Sequence, residues 1–258
     1  MIPYKIFPMF ELGPLHINMY GIMYVLAVLA ASFLALREAK KRNIDREVIW
    51  DLVFYLLLGN LIGARLFYVL FYWPEGTPLT LISALAVWKG GLAFFGGFLG
   101  ALVAGYIFVK KRKLKFWLLA DIFTIPLVVG HIFGRFGDYF TGGHPGKITS
   151  LPWGIYFHDA VRHPIVLYEI IGLVIIVLIL LNLKKIKQML NLFDGFLLSS
   201  YVILYSIQRM ILDFFRIEST DPRVLGLTPT QYIVIILFVL SVAFILVNFK
   251  RNKKIKDT

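Results

Sequence analysis

A chain of 258 residues that is 59% hydrophobic and only 16% charged is too apolar for a soluble domain, in which about half the residues are apolar and about a quarter charged. It has no cysteine, which excludes disulfides, thiolate catalysis by the chain itself and cysteine metal sites. Its formal net charge of +12 is gathered in runs between apolar segments, so it reports membrane topology and not nucleic-acid binding.

Residues 1–18 carry Pro3, Pro8 and Pro14 and read as a short surface or interfacial segment. Seven apolar runs follow, at 19–36, 49–72, 90–109, 117–138, 164–183, 194–215 and 231–249, each near the ~20 residues that span a bilayer. The first is too long for a signal-peptide core and lacks a small-residue cleavage site. The piece 78–88 is apolar but short, and reads as a re-entrant or interfacial helix. The fold class is therefore an all-α integral membrane protein, a seven-transmembrane-helix bundle forming one domain over 1–258. The outer loops are 73–89, 139–163 and 216–230.

Basic runs set the orientation. Arg37 to Arg46, Lys110 to Lys115, Lys184 to Lys187 and Lys250 to Lys256 follow the first, third, fifth and seventh runs, and hold 18 of the 27 basic residues. With seven spans all four fall on one side, which the positive-inside rule makes cytoplasmic. The N-terminus is then outside and the C-terminus cytoplasmic.

The remaining arginines carry the chemistry. Arg65, Arg135 and Arg209 lie within the second, fourth and sixth spans, and Arg216 at the outer end of the sixth. Placing an arginine in a membrane costs roughly 2.5–3.5 kcal/mol even on insertion scales. Four guanidinium groups at one depth near the outer leaflet suit a phosphate, whose oxygens match their planar bidentate donors. The alternative is four separate snorkelling or structural ion pairs.

The stretch Gly134-Arg135-Phe136-Gly137-Asp138, continuing through Gly142-Gly143-His144 to Lys147, organises the rest. His131, Arg135 and Asp138 share one helical face. In the sixth span Arg209, Asp213 and Arg216, at i, i+4 and i+7, form one charged face on an apolar helix, which must look into a cavity. Asp213 there either orients the arginines or takes part in chemistry. Glu169, about a turn into the fifth span after Arg162-His163-Pro164 and Tyr168, either pairs with an arginine of another span or acts as a base. Tyr20 opens the first span and on its own reads as an aromatic-belt residue. His144, in the outer loop, is either inert or a general base. The small-xxx-small spacings Gly59/Gly63 and Gly130/Gly134 are helix contacts. The five histidines show no metal-ligand spacing, and phosphate-loop and dinucleotide motifs are absent, so no metal or cofactor is assigned.

Taken together the motifs resemble the prolipoprotein diacylglyceryl transferase family, over nearly the whole length. His16-Ile17-Asn18-Met19-Tyr20-Gly21 is similar to the family's opening of the first span. Gly63-Ala64-Arg65-Leu66-Phe67-Tyr68 is similar to its second-span motif, and Val87-Trp88-Lys89-Gly90-Gly91 with Gly96-Gly97 to its glycine-rich entry to the third. Gly134-Arg135-Phe136-Gly137 resembles its Gly-Arg-x-Gly signature, and Arg162-His163-Pro164 with Tyr168-Glu169 its Arg-His-Pro-x-x-x-Tyr-Glu. Arg209 to Arg216 resembles its sixth-span arginine face.

The resemblance implies transfer of a diacylglyceryl group from phosphatidylglycerol to the lipobox cysteine thiol of a prolipoprotein signal peptide. A thioether forms and glycerol phosphate leaves, outside the bacterial cytoplasmic membrane. It implies Arg135, Arg209, Asp138, His144 and Tyr20 as catalytic. Arg65, Arg135, Arg209, Arg216, Glu169, Asp213, Tyr168 and His163 would bind substrate. Three positions depart from the family pattern: Phe95 stands for a histidine, Asp138 for an asparagine and Gly143 for an acidic residue. Either His144 or Asp138 then supplies the base. The competing readings are a diverged relative acting on another acceptor or anionic lipid, and a non-catalytic lipid-binding membrane protein.

Overall fold

The computed structural model describes residues 4–12, 15–74, 78, 80–87, 90–157, 159–217 and 223–256. Trp88 and Lys89 of the third-span entry motif, His158, and the proline positions 3 and 14 lie outside the described residues. The elements run β1 (Met9–Leu12), β2 (Leu15–Asn18), α1 (Met19–Lys40), α2 (Arg46–Phe71), α3 (Leu81–Leu85), α4 (Phe94–Lys111), α5 (Phe116–Thr141), β3 (Ile155–Phe157), β4 (Ala160–Arg162), α6 (Ile165–Leu190), α7 (Phe196–Leu212), a 3-10 turn (Asp213–Phe215) and α8 (Pro229–Lys256). The architecture is helical, with two short antiparallel hairpins, β1–β2 and β3–β4.

Among the described residues six helices, α1, α2, α4, α5, α6 and α8, are long and apolar enough to cross a membrane. The sixth apolar run behaves differently. Its α-helix has 17 residues and ends at Leu212, and Asp213 opens a 3-10 turn. Arg216 follows in extended backbone and forms an isolated antiparallel bridge with Gly146. Arg209, Asp213 and Arg216 are therefore not three steps of one helical face. The i+7 residue has left the helix. The third run also begins later than its apolar character suggests, at Phe94 and not at 90. Gly90 and Gly91 sit at φ 83° and 75°, a left-handed backbone that cannot continue a helix.

Contacts group the chain into two compact units, Met1–Leu34 with Ala120–Thr258, and Ala35–Leu119. In the smaller unit α2 and α4 meet through glycines. A Cβ on Gly63 would meet the carbonyl oxygen of Gly96, and one on Gly100 the carbonyl oxygen of Gly59. Backbone cannot step aside, so Gly63→Ala forces the helices apart. It costs about 1–3 kcal/mol by overpacking, read as a lower unfolding temperature in detergent.

Arg65 belongs to this unit, where its guanidinium is engaged by backbone carbonyls. Its Nε donates to Ala84 O at 2.7 Å, Nη1 to Gly90 O and Gly91 O at 2.6 and 2.9 Å, and Nη2 to Ser83 O at 2.7 Å. A guanidinium has five N–H donors. Four hydrogen bonds to backbone make Arg65 the pin of the 83–91 segment, with Tyr68 and Trp73 rings against it. Phe95 is half exposed and packs edge-on to Phe94.

In the larger unit the core is Val128, Leu173, Ile176, Leu180 and Tyr201, contributed by α5, α6 and α7. One end of these helices is tied by Asp121, which accepts from Gly195 N at 3.0 Å and Leu198 N at 3.1 Å. It thereby caps α7. Lys187, grouped by sequence with a flanking basic run, is buried as the ion partner of Asp121 and also reaches Asp194 at 3.1 Å. The other end is closed by chain crossing over it. Phe7 N bonds Phe140 O at 2.8 Å, Lys147 N bonds Phe215 O at 2.8 Å and His163 N bonds Lys147 O at 3.0 Å. These bonds hold the 142–149 loop over the ends of α5 and α7.

Candidate active site

Three arginines and three carboxylates meet where α5, α6 and α7 end beneath that loop. On α5, Arg135 Nη1 lies 2.7 Å from Asp138 Oδ2, the i,i+3 spacing of one helix face. Its Nε is 2.9 Å from Glu169 Oε2 on α6, but the N–H aims at His131 Nε2, 3.3 Å away. On α7, Arg209 Nη1 donates to Glu169 Oε1 at 2.7 Å, and Nη2 is 3.0 Å from Asp213 Oδ1. Arg216 Nη1 lies 3.9 Å from the same Asp213 oxygen. Glu169, Arg209, Asp213 and Arg216 are all buried. Glu169 is thus the hub that joins Arg135 to Arg209, and Asp213 joins Arg209 to Arg216.

The cluster is balanced in formal charge, yet not saturated in hydrogen bonds. Arg209 Nε is buried without a hydrogen-bond partner among the described residues. Such an orphaned donor costs free energy until an acceptor reaches it. His131 accepts from Arg135 through Nε2, so its proton sits on Nδ1, 3.4 Å from Tyr201 Oη. Tyr201 and Tyr205 ring this histidine. Gly172 makes room for the Gln208 amide, which donates to Glu169 O at 3.0 Å. The tyrosines and Gly172 carry no charge and no signature spacing, so only the fold reveals them.

His144 sits at φ 54° on the loop above, its Nε2 3.8 Å from Asp138 Oδ2. Its pKa is pushed down to about 3, by burial first and then by the cations of Arg216, Arg135 and Arg209. The Tyr20 ring lies against Gly137, half exposed, one residue from Asp138. Between α1 and α5 an apolar cleft lined by Tyr20, Tyr24, Ala27, Ala31, Gly130 and Gly134 encloses about 260 Å3, and runs along α5 from the residue next to Arg135. Tyr168, the chain neighbour of Glu169, and His163 make contacts of their own. Tyr168 Oη accepts from Trp153 Nε1 at 2.8 Å and is 3.4 Å from His163 Nδ1, while the His163 ring packs on Phe215. Their contacts brace the loop. A Cβ on Gly143 would lie 3.6 Å from Asp138 Oδ1. Position 143 therefore borders the Asp138 carboxylate.

The family model of prolipoprotein diacylglyceryl transferase matches residues 8–247. The chain belongs to this family. Among curated relatives, a phosphatidylglycerol–prolipoprotein diacylglyceryl transferase of Aliarcobacter butzleri is 37% identical over 222 residues, 80% of this chain and 79% of the relative. One of Campylobacter lari is 33% identical over 260 residues, 94% of each chain. One of Bacillus velezensis is 36% identical over 264 residues, 96% of this chain and 93% of the relative. The match spans both compact units, and Arg135, Glu169, Arg209 and Arg216 of the matched stretch meet in the ion cluster.

Proposed function

We infer that the chain transfers a diacylglyceryl group from phosphatidylglycerol to the cysteine thiol of a prolipoprotein. The observation that carries the reading is the family match over residues 8–247. The guanidinium cluster supplies chemistry to go with it. The substrate sulfur forms a bond to the glycerol carbon that bears the phosphate. The carbon–oxygen bond breaks, and glycerol phosphate departs with the electron pair. Arg135 and Arg209, held by Glu169, stabilise the charge that grows on the leaving phosphate. Arg209 Nε is a donor ready for one of its oxygens. The nucleophile comes from the substrate, which explains an enzyme without cysteine. The lipobox cysteine of a signal peptide is that nucleophile.

The thiolate, not the thiol, attacks, so a base must take the proton. His144, neutral over the physiological range and beside Asp138, takes that role, and the bound phosphate offsets the cations that depress it. An apolar cleft leading away from Arg135 suits an acyl chain of a lipid gripped by its headgroup. A seven-span bundle with α7 as its shortest member places the four basic runs on the cytoplasmic side. The cluster then faces the outer leaflet, the N-terminus is outside and the C-terminus is inside.

Purified protein in bilayers containing labelled phosphatidylglycerol, given a lipobox peptide, is expected to produce a thioether-linked diacylglyceryl peptide. A cysteine-to-serine peptide is expected to yield none. Labelled lipid that never reaches the cysteine peptide contradicts the assignment. The pH dependence follows from His144. Its folded pKa is depressed, so the basic form is present above about 3 and is lost only as pH falls through that value. Because kcat/KM reports groups of the free enzyme, it holds level through pH 6.5 on the acid side. An acid-side step that His144→Ala leaves in place speaks against His144 as the base.

A further inference from the structure

We propose that Thr228, at the start of α8, is a positioning residue for transfer: its hydroxyl fixes Asp213, and through Asp213 the pair Arg209 and Arg216. The inference rests on the assigned reaction. Asp213 closes α7 with helical backbone, its N–H bonded to Arg209 O, which brings its carboxylate beside Arg209 but leaves unset the side-chain torsion that aims each oxygen. The fixing comes from another element. Thr228 Oγ1 donates to Asp213 Oδ2 at 3.0 Å, which leaves Oδ1 facing Arg209 at 3.0 Å and Arg216 at 3.9 Å.

The direction of that hydrogen bond is determined by its neighbours. Thr228 Oγ1 accepts from Gln231 N at 3.1 Å, and Gln231 Oε1 accepts from Thr228 N at 2.9 Å. This is a capping box, with Pro229 at the first helical position. A hydroxyl has one proton to give. The backbone N–H of Gln231 cannot receive it, so it goes to the carboxylate. Gln231 Nε2 returns to Met210 O on α7 at 3.3 Å. Thr228, Gln231 and Asp213 are all fully buried, so water does not compete for these bonds. One hydroxyl thus caps α8 and orients the carboxylate between two arginines.

The test is kcat/KM for labelled phosphatidylglycerol with a lipobox peptide, measured beside the unfolding midpoint in detergent. Thr228→Val keeps the shape and removes the donor, and is expected to lower kcat/KM about 10- to 100-fold, the worth of a hydrogen bond to a charged group. Thr228→Ser restores the hydroxyl and returns activity to within about threefold. In an Asp213→Asn background the carboxylate is already gone, so Thr228→Val adds little further loss. If the valine variant does not fold, Gln231→Leu serves. It removes the other half of the box but not the Thr228–Asp213 bond, so it lowers the unfolding midpoint while kcat/KM per folded molecule stays within about threefold.

Full activity in Thr228→Val, an undiminished extra loss in the Asp213→Asn background, or a tenfold loss in folded Gln231→Leu overturns the inference. Transfer by the wild type in the same assay separates the two claims. A silent wild type overturns the assigned reaction and this inference with it. An active wild type beside an unimpaired valine variant overturns the inference alone.

Discussion

Arg135→Leu is expected to lower kcat/KM by about 10²–10³-fold, because a preorganised donor aimed at developing charge is worth about 2.7–4 kcal/mol. Two effects act in the same direction. The fork proposed to meet the leaving phosphate is lost. Asp138 and Glu169, which Arg135 contacts at 2.7 and 2.9 Å, are also left with one cation fewer, beside an anionic lipid. Arg135→Lys separates them. Lysine restores the charge as a compact ammonium but not the planar fork, so it recovers part of the loss and no more. Comparable rates for wild type, lysine and leucine variants in a lipobox-peptide assay would exclude Arg135 from phosphate binding.

The second large effect is on stability as well as activity. Glu169→Ala removes the carboxylate that joins Arg135 to Arg209 and leaves two guanidinium groups facing each other in a buried site. Removing one partner of a buried ion pair typically costs about 3–5 kcal/mol. The unfolding midpoint in detergent is expected to fall accordingly, and transfer is expected to be lost even at temperatures where the variant is folded. Glu169→Gln keeps the shape and one acceptor, so it recovers more of the stability than of the activity. An alanine variant as stable and as active as the wild type would mean that the arginines do not depend on Glu169 for their geometry.

Much of this arrangement is legible in the residues because charge in an apolar run is costly. Arg135, Arg209, Glu169 and Asp213 each interrupt hydrocarbon, and each must face a partner or a cavity. The i,i+3 and i,i+4 spacings that bring Arg135 to Asp138 and Arg209 to Asp213 follow directly from helix geometry. Arg65 is the counter-example. It interrupts hydrocarbon in the same way, yet its acceptors are the backbone carbonyls of Ser83, Ala84, Gly90 and Gly91. Every residue carries a carbonyl, so no sequence pattern foretells these contacts.

The end of α7 at Leu212 is similarly silent. Asp213-Phe214-Phe215 carries no glycine or proline, yet the chain tightens there into a 3-10 turn and becomes extended at Arg216, which bridges Gly146. Thr228-Pro229-Thr230-Gln231 does spell a helix start, but it falls where the apolar pattern reads as loop. Its hydrogen bond to Asp213 spans 15 residues, beyond the reach of local patterns.

Arg135 and Arg209, oriented by Glu169, are proposed to hold the phosphate of phosphatidylglycerol. An experimental structure with this lipid bound in a bilayer tests that most directly. The phosphate is predicted within hydrogen-bond distance of Arg135 and Arg209, one of its oxygens on Arg209 Nε. A phosphate seated on Arg65, or anywhere that leaves the two guanidinium groups without contact to it, would contradict the account.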